Sequence, residues 1–268
     1  MTAAVRSELR KFFTTRLWWG MAIAMFVAAA AFSTILGFVY TIAPDPEAIA
    51  AGQPTGDPTQ IANSVYTGGL TMGLTLMLVI GIFQIGAEYR HKTITGTFLS
   101  TPVRTRAMGA KVVALFAIGA LYGVVSLVGS VLAGAIVLSS RGADAFPSTE
   151  VVRTLALSLL VLGLWALVGL GIGILIPNQV AALLISIGVV WIVEPLGTFA
   201  LTYWEWGREH VVMYLPQAAT NAIVSGVTQQ NANAAPSLEW WGGALTLAAY
   251  AVVLAGFGVW RTTRADIS

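Results

Sequence analysis

Side chains able to carry chemistry are scarce in this 268-residue chain, and most of them crowd into one stretch. Residues 88–111 read E-Y-R-H-K-T-I-T-G-T-F-L-S-T-P-V-R-T-R-A-M-G-A-K. Ile94 and Phe98 stand four apart with Leu99 adjoining, so a short helix here would carry one apolar ridge. Arg90, His91 and Lys92 would form its charged side, and Pro102 ends it, because proline cannot continue a helix. A segment that only turns the chain needs few polar residues. The surplus points to a docking surface for a cytoplasmic partner; the plainer reading is a basic loop resting on anionic lipid.

Known catalytic constellations are missing from the sequence. It has no cysteine, which removes disulfides, thiolate metal ligation and cysteine nucleophiles. The only histidines, His91 and His210, lie in separate polar segments, and neither a G-x-S-G nucleophile nor an H-E-x-x-H metal motif occurs. None of Lys11, Lys92 and Lys111 follows a glycine, so the phosphate-cradling G-x-x-x-x-G-K-[ST] loop is absent too. The chain is therefore expected to be no enzyme and to hold no metal or cofactor of its own. One carboxylate stands apart, Glu194 beside Pro195 in an otherwise apolar run. A charge in such a place is costly, so it marks either a translocation path or gate, or a hydrogen-bonded glutamate sealing a proline kink. Both readings stand, while Gln84 and Asn178 are weaker polar candidates.

The elements that must position these groups follow from composition. Hydrophobic residues make up 57% and charged residues 10%, with a mean hydropathy of +0.79. Soluble domains carry about 25% charged residues, so a soluble enzyme, a disordered chain and a nucleic-acid binder are excluded. Crossing about 30 Å of hydrocarbon takes roughly 20 apolar residues. Six stretches qualify: 18–41, 65–87, 112–138, 154–176, 180–202 and 242–260. They do not alternate apolar with polar as barrel strands would. The expectation is an all-α membrane protein, one transmembrane domain over residues 1–268 with six helices. Glu194 is the one formally charged residue inside those spans.

Basic residues give the direction, since cytoplasmic segments are rich in lysine and arginine. With the N-terminus inside, Arg6, Arg10, Lys11 and Arg16, then Arg90, Lys92, Arg104, Arg106 and Lys111, then Arg261 and Arg264 are cytoplasmic. Only Arg141, Arg153 and Arg208 fall outside. Trp18, Trp19, Trp204, Trp206, Trp240, Trp241 and Trp260 sit at the expected borders, where amphipathic rings lie. The expectation is a multi-pass plasma-membrane protein with both termini cytoplasmic, its first span too long for a cleaved signal peptide.

Outside the spans, Val5, Leu9, Phe12 and Phe13 form one apolar face over residues 1–17, with Arg6, Arg10 and Lys11 facing away. This is the pattern of an interfacial helix along the inner leaflet, or simply of a basic anchor for the first span. Segment 42–64, with Pro44, Pro46, Pro54 and Pro58, reads as coil without a packed core. Between spans four and five only Pro177, Asn178 and Gln179 intervene, which makes those spans antiparallel neighbours. Segment 203–241 carries Pro216 at a helix start and Gly226 at its stop. It predicts short extracellular helices, either dipping re-entrantly into the outer leaflet or lying as an amphipathic surface loop. Gly69/Gly73, Gly119/Gly123 and Ser126/Ser130/Gly134 recur at four-residue spacing, and Gly169, Gly171 and Gly173 cluster, all permitting close helix contact within or between chains.

The string E-Y-R-x-x-T-I-x-x-T-F-L-x-T-P-V-R-x-R-x-x-x-A-K at residues 88–111 resembles the loop after the second span of ABC-2-type transporter permeases. The basic start R-x-E-L-R-K…T-T-R-x-W-W, the six spans and the long last outer segment are similar to that family too. The resemblance implies the membrane subunit of an ABC exporter, with an N-terminal connecting helix and a cytoplasmic coupling helix near 88–99. Glu88, Tyr89, Arg90, Ile94, Phe98 and Leu99 would meet a separate ATP-binding subunit, which would handle ATP and Mg. A second permease subunit, in a homo- or heterodimer, and the lipid bilayer are the other implied partners. Apolar and aromatic walls suggest an amphipathic or lipid-like cargo such as a drug, a peptide antibiotic or a lipid-linked molecule. The alternative is a secondary transporter or channel using Glu194 as its intramembrane ionisable group, although such carriers usually show broken helices in paired repeats.

Overall fold

A backbone within hydrocarbon must satisfy its own N–H and C=O groups, and an apolar run does so by coiling. The computed structural model describes residues 2–42, 57–90, 104–225 and 237–264, and among these every regular element is helical. In chain order they are α1 (Thr2–Phe13), α2 (Leu17–Thr41), α3 (Pro58–Thr67), α4 (Leu70–Arg90), α5 (Arg104–Ser140) and α6 (Thr149–Leu175). Then come α7 (Gln179–Gly188), a π-helical turn (Val189–Val193), α8 (Glu194–Thr202), α9 (Glu205–His210) and a 3₁₀ turn (Val212–Tyr214). Last are α10 (Pro216–Ser225) and α11 (Trp240–Arg264). Six units are long and apolar enough to cross a membrane, and the chain is a multi-pass helical membrane protein. The spans are α2, α3 with α4, α5, α6, α7 through α8, and α11.

Helix α6 is the axis of the bundle, packed against α4, α5, α10 and α11. Its residues Val161–Leu164, Trp165, Ala166 and Val168–Gly171 are buried, and Trp165 is among the largest fully buried side chains. The small residues noticed in the sequence serve contacts inside the chain. A methyl group at Gly81 of α4 would overlap the carbonyl oxygen of Ala166, and one at Gly169 would overlap that of Leu78. Backbone therefore lies on backbone where α4 and α6 cross. Gly69 meets Ala29, Gly119 meets Gly163, and Gly171 meets Ala251 and Leu254 in the same way. Between α2 and α5, the Ser33 hydroxyl donates to the Ser130 carbonyl at 2.7 Å.

Two expectations are corrected. The coil assigned to 42–64 gives way at Asp57, whose carboxylate accepts from the Thr59 N–H and starts α3 with Pro58 in its first turn. An aspartate cap followed by proline is a helix start, and it outweighs the local density of prolines. Ala62, Val65 and Tyr66 of α3 then form a second core with Leu138 and Val151, so this end of the segment is packed. Span five, expected to be interrupted only by a kink at Glu194–Pro195, widens into the π turn immediately before it. The Glu194 N–H reaches back five residues to the Val189 carbonyl. The widened turn makes room for the Pro195 ring, which would otherwise press on the preceding turn.

Candidate functional site

Helix α1 has one buried face, made by Glu8 and Phe12 four residues apart, with Leu9 packed beside them. Phe12 enters the main core and meets the Tyr122 ring edge-on at a centroid distance of 5.9 Å. The Tyr122 hydroxyl in turn donates to the Trp18 carbonyl at 2.7 Å, fixing the start of α2 against α5. The C-terminal carbonyls of α1 are closed by Thr14 and Thr15, whose hydroxyls donate to Lys11 and Phe12.

A carboxylate on an apolar face needs partners, and Glu8 finds one on its own helix, Lys11, and one on α5, Lys111. The Lys111 ammonium on α5, with its side chain 2% exposed, lies 2.7 Å from Glu8 Oε2 and 2.7 Å from Glu88 Oε1 on α4. The Lys11 ammonium closes the ring at 2.7 Å from Glu8 Oε1 and 2.8 Å from Glu88 Oε1. Among the described residues, charges alternate around these four members and sum to zero. Glu88 Oε1 accepts both cations, whereas its buried Oε2 has no hydrogen-bond partner among the described residues. Burial pushes the Glu8 carboxyl up, but the adjacent Lys111 charge and the hydrogen bonds from Lys11 and Lys111 leave it below its ordinary value. Burial likewise pulls Lys11 down, and its hydrogen bonds to Glu8 and Glu88 leave it above its ordinary value.

Of the residues read as a docking surface, Glu88 points inward into this cluster and Arg90 is exposed. Ile94, Phe98 and Leu99, and the side chain of Tyr89, lie outside the described residues. Lys11 is exposed as Arg6 and Arg10 are, but its ammonium reaches back to the two carboxylates of the cluster. Sequence reasoning missed Glu8 and Lys111 as site residues. The available signal was an acid placed between Val5, Leu9 and Phe12 in a chain with few acids.

Glu194 occupies a second polar point, near the opposite end of the bundle. It is buried, and its Oε1 accepts the backbone N–H of Gln217 at 2.5 Å in the first turn of α10. A carboxylate suits a helix N-terminus, where unpaired N–H groups concentrate positive potential. Two further bonds hold the same segment: Trp165 Nε1 donates to Thr220 Oγ1 at 2.8 Å, and the Tyr250 hydroxyl donates to the Tyr214 carbonyl at 3.2 Å. Spans four, five and six thus each grip the 212–225 segment. Asn178 caps α7 by accepting from the Val180 and Ala181 N–H groups, and Gln84 is half-buried on α4. No family model matches this chain, and no curated protein matches it either.

Proposed function

We propose that this chain is the membrane-spanning permease subunit of an ATP-driven exporter of the ABC-2 type, powered by a separate ATP-binding subunit. The observation that carries the reading is the charge cluster, which joins α1 to Glu88 and Lys111, the two roots of the 88–111 loop. A loop that only returned the chain would need no such brace. A loop that takes load from a partner would. On this reading α1 is the connecting helix at the cytoplasmic face, and the ATP-binding subunit docks on the 88–111 loop. Segment 205–225 forms the extracellular helices, with α10 re-entrant against Trp165.

Span five leaves an apolar face open to lipid or to a second copy. Its buried positions Ala182, Ser186, Val190 and Glu194 form one stripe, while Val180, Leu184, Ile192, Val193, Leu196 and Phe199 are exposed. Surface of that kind is covered by lipid or by another permease subunit. The carboxylate of Glu194, engaged with α10, favours a sealing role over a path lining. An amphipathic or lipid-like cargo suits the apolar walls that remain.

The test is affinity purification of the chain from its membrane, followed by assay of the eluate for ATP hydrolysis. Replacing Ile94 and Phe98 together with Asp should remove the co-purifying ATPase and leave membrane insertion unchanged. Undiminished association in that variant would overturn the docking assignment.

A further inference from the structure

The cluster of Glu8, Lys11, Glu88 and Lys111 has a geometry that a set of independent pairs would not have. Lys111 lies between the carboxylates of α1 and α4 while itself standing on α5, and Lys11 on α1 repeats the same two contacts from the opposite side. Each charge therefore has neighbours of opposite sign on both sides, and no single helix can leave without stripping a buried charge of a partner. Two of the three helices are the roots of the 91–103 segment, and the third is followed within a few residues by span one. Phe12 against Tyr122 and the packing of Leu9 are apolar ties of α1 to the bundle. Apolar contact permits sliding. A closed ring of alternating charges, whose bonds need short distances and correct angles, resists it.

We infer that Glu8, Lys11, Glu88 and Lys111 are positioning residues that lock α1 and both roots of the 91–103 segment into one rigid unit. Displacement at that segment then carries α1 with it and reaches α2, the first span, without passing through the bundle core. Only this last consequence rests on the proposed exporter function; the rigid unit itself does not. Neutral replacement of one member leaves an uncompensated charge, whereas removal of one acid with one base keeps the balance and breaks the ring.

The full chain in lipid nanodiscs, labelled with nitroxides at Ser7→Cys and Val113→Cys, tests the unit without any partner. Both positions are exposed, and the chain has no other cysteine to label. Pulsed electron resonance should give one narrow distance distribution for the parent, and at least a two-fold broader one for the Glu88→Gln/Lys111→Met double variant. A second double variant, Glu8→Gln/Lys11→Met, should broaden it as well, and Lys111→Arg should leave it narrow. An unchanged width in a folded double variant overturns the inference. So does loss of a monodisperse chain in both double variants, which would make the cluster a folding requirement rather than a linkage. In the assembled exporter, the Glu8→Gln/Lys11→Met chain should still bind the ATPase subunit yet lose at least ten-fold in ATP-driven efflux. If no ATPase associates with the parent chain the exporter reading fails, and the distance measurement still decides the linkage.

Discussion

Glu88 Oε1 receives two ammonium groups while Oε2 receives none among the described residues, so the cluster depends on all its members remaining charged. Glu8 and Lys11 set the pH limits considered for the cluster. Glu8, held below its ordinary 4.5, stabilises the fold above that pH and ceases to do so as the pH falls through its lower folded value. Lys11, held above its ordinary 10.5, contributes fully below that pH and is lost as the pH rises through its higher folded value. The Ser7–Val113 distance distribution should therefore stay constant from about pH 5 to about pH 10 and broaden only beyond those limits. At the other polar point the expected outcomes separate sealing from transport. Glu194→Gln keeps an oxygen to accept the Gln217 N–H and should retain both thermal stability and efflux. Glu194→Leu leaves that donor unpaired and should destabilise the chain by about 1–3 kcal/mol, read as a lower unfolding midpoint. Loss of efflux in Glu194→Gln with unchanged stability would instead return Glu194 to the path.

At the scale of elements, the crossing of α4 and α6 is set by glycine. Where Gly81 and Gly169 lie, the facing atoms are backbone carbonyls of Ala166 and Leu78, which cannot swing aside as a side-chain tip can. Gly169→Ala should therefore separate the two helices and cost about 1–3 kcal/mol through overpacking. Gly188→Ala, where no described atom beyond the local helix backbone lies within 4 Å of the added methyl, is the matched control. It should be neutral or slightly stabilising, since alanine is the better helix former. Thermal unfolding in detergent compares the two, and equal midpoints would count against the close crossing. The π turn of span five belongs to this scale as well, because it adapts one helix to Pro195 and carries Glu194 to the start of α10.

For the whole molecule, the expected orientation places α1 and the 88–111 loop in the cytoplasm and segment 203–241 outside. Arg208→Cys should react with a membrane-impermeant maleimide on intact cells, and Arg16→Cys only after permeabilisation. The reverse pattern would invert the protein. The same arrangement separates two ends of different character. At the α1 end, charges bind three helices to each other; at the other, hydrogen bonds from spans four, five and six hold one short segment in place. On the exporter reading, the first end receives work and the second opens or seals.

The six spans, their approximate borders and the start of α10 at Pro216 were legible from residue type alone. Length of apolar run, missing charge and the chemistry of proline and aspartate are local properties, and each helix carries its own. Even the start of α3 could be read, in the Asp57–Pro58 pair, once capping was weighed above proline content. The partners of Glu8, Glu88 and Lys111 could not be read in the same way. Lys111 stands more than one hundred residues from Glu8, and no periodicity within one helix determines which face of another it will meet. Basic residues near a membrane border look alike in sequence whether they rest on lipid headgroups or join a ring of paired charge. That choice is made by the packing of α1 across the ends of α4 and α5, which exists only once the bundle has closed.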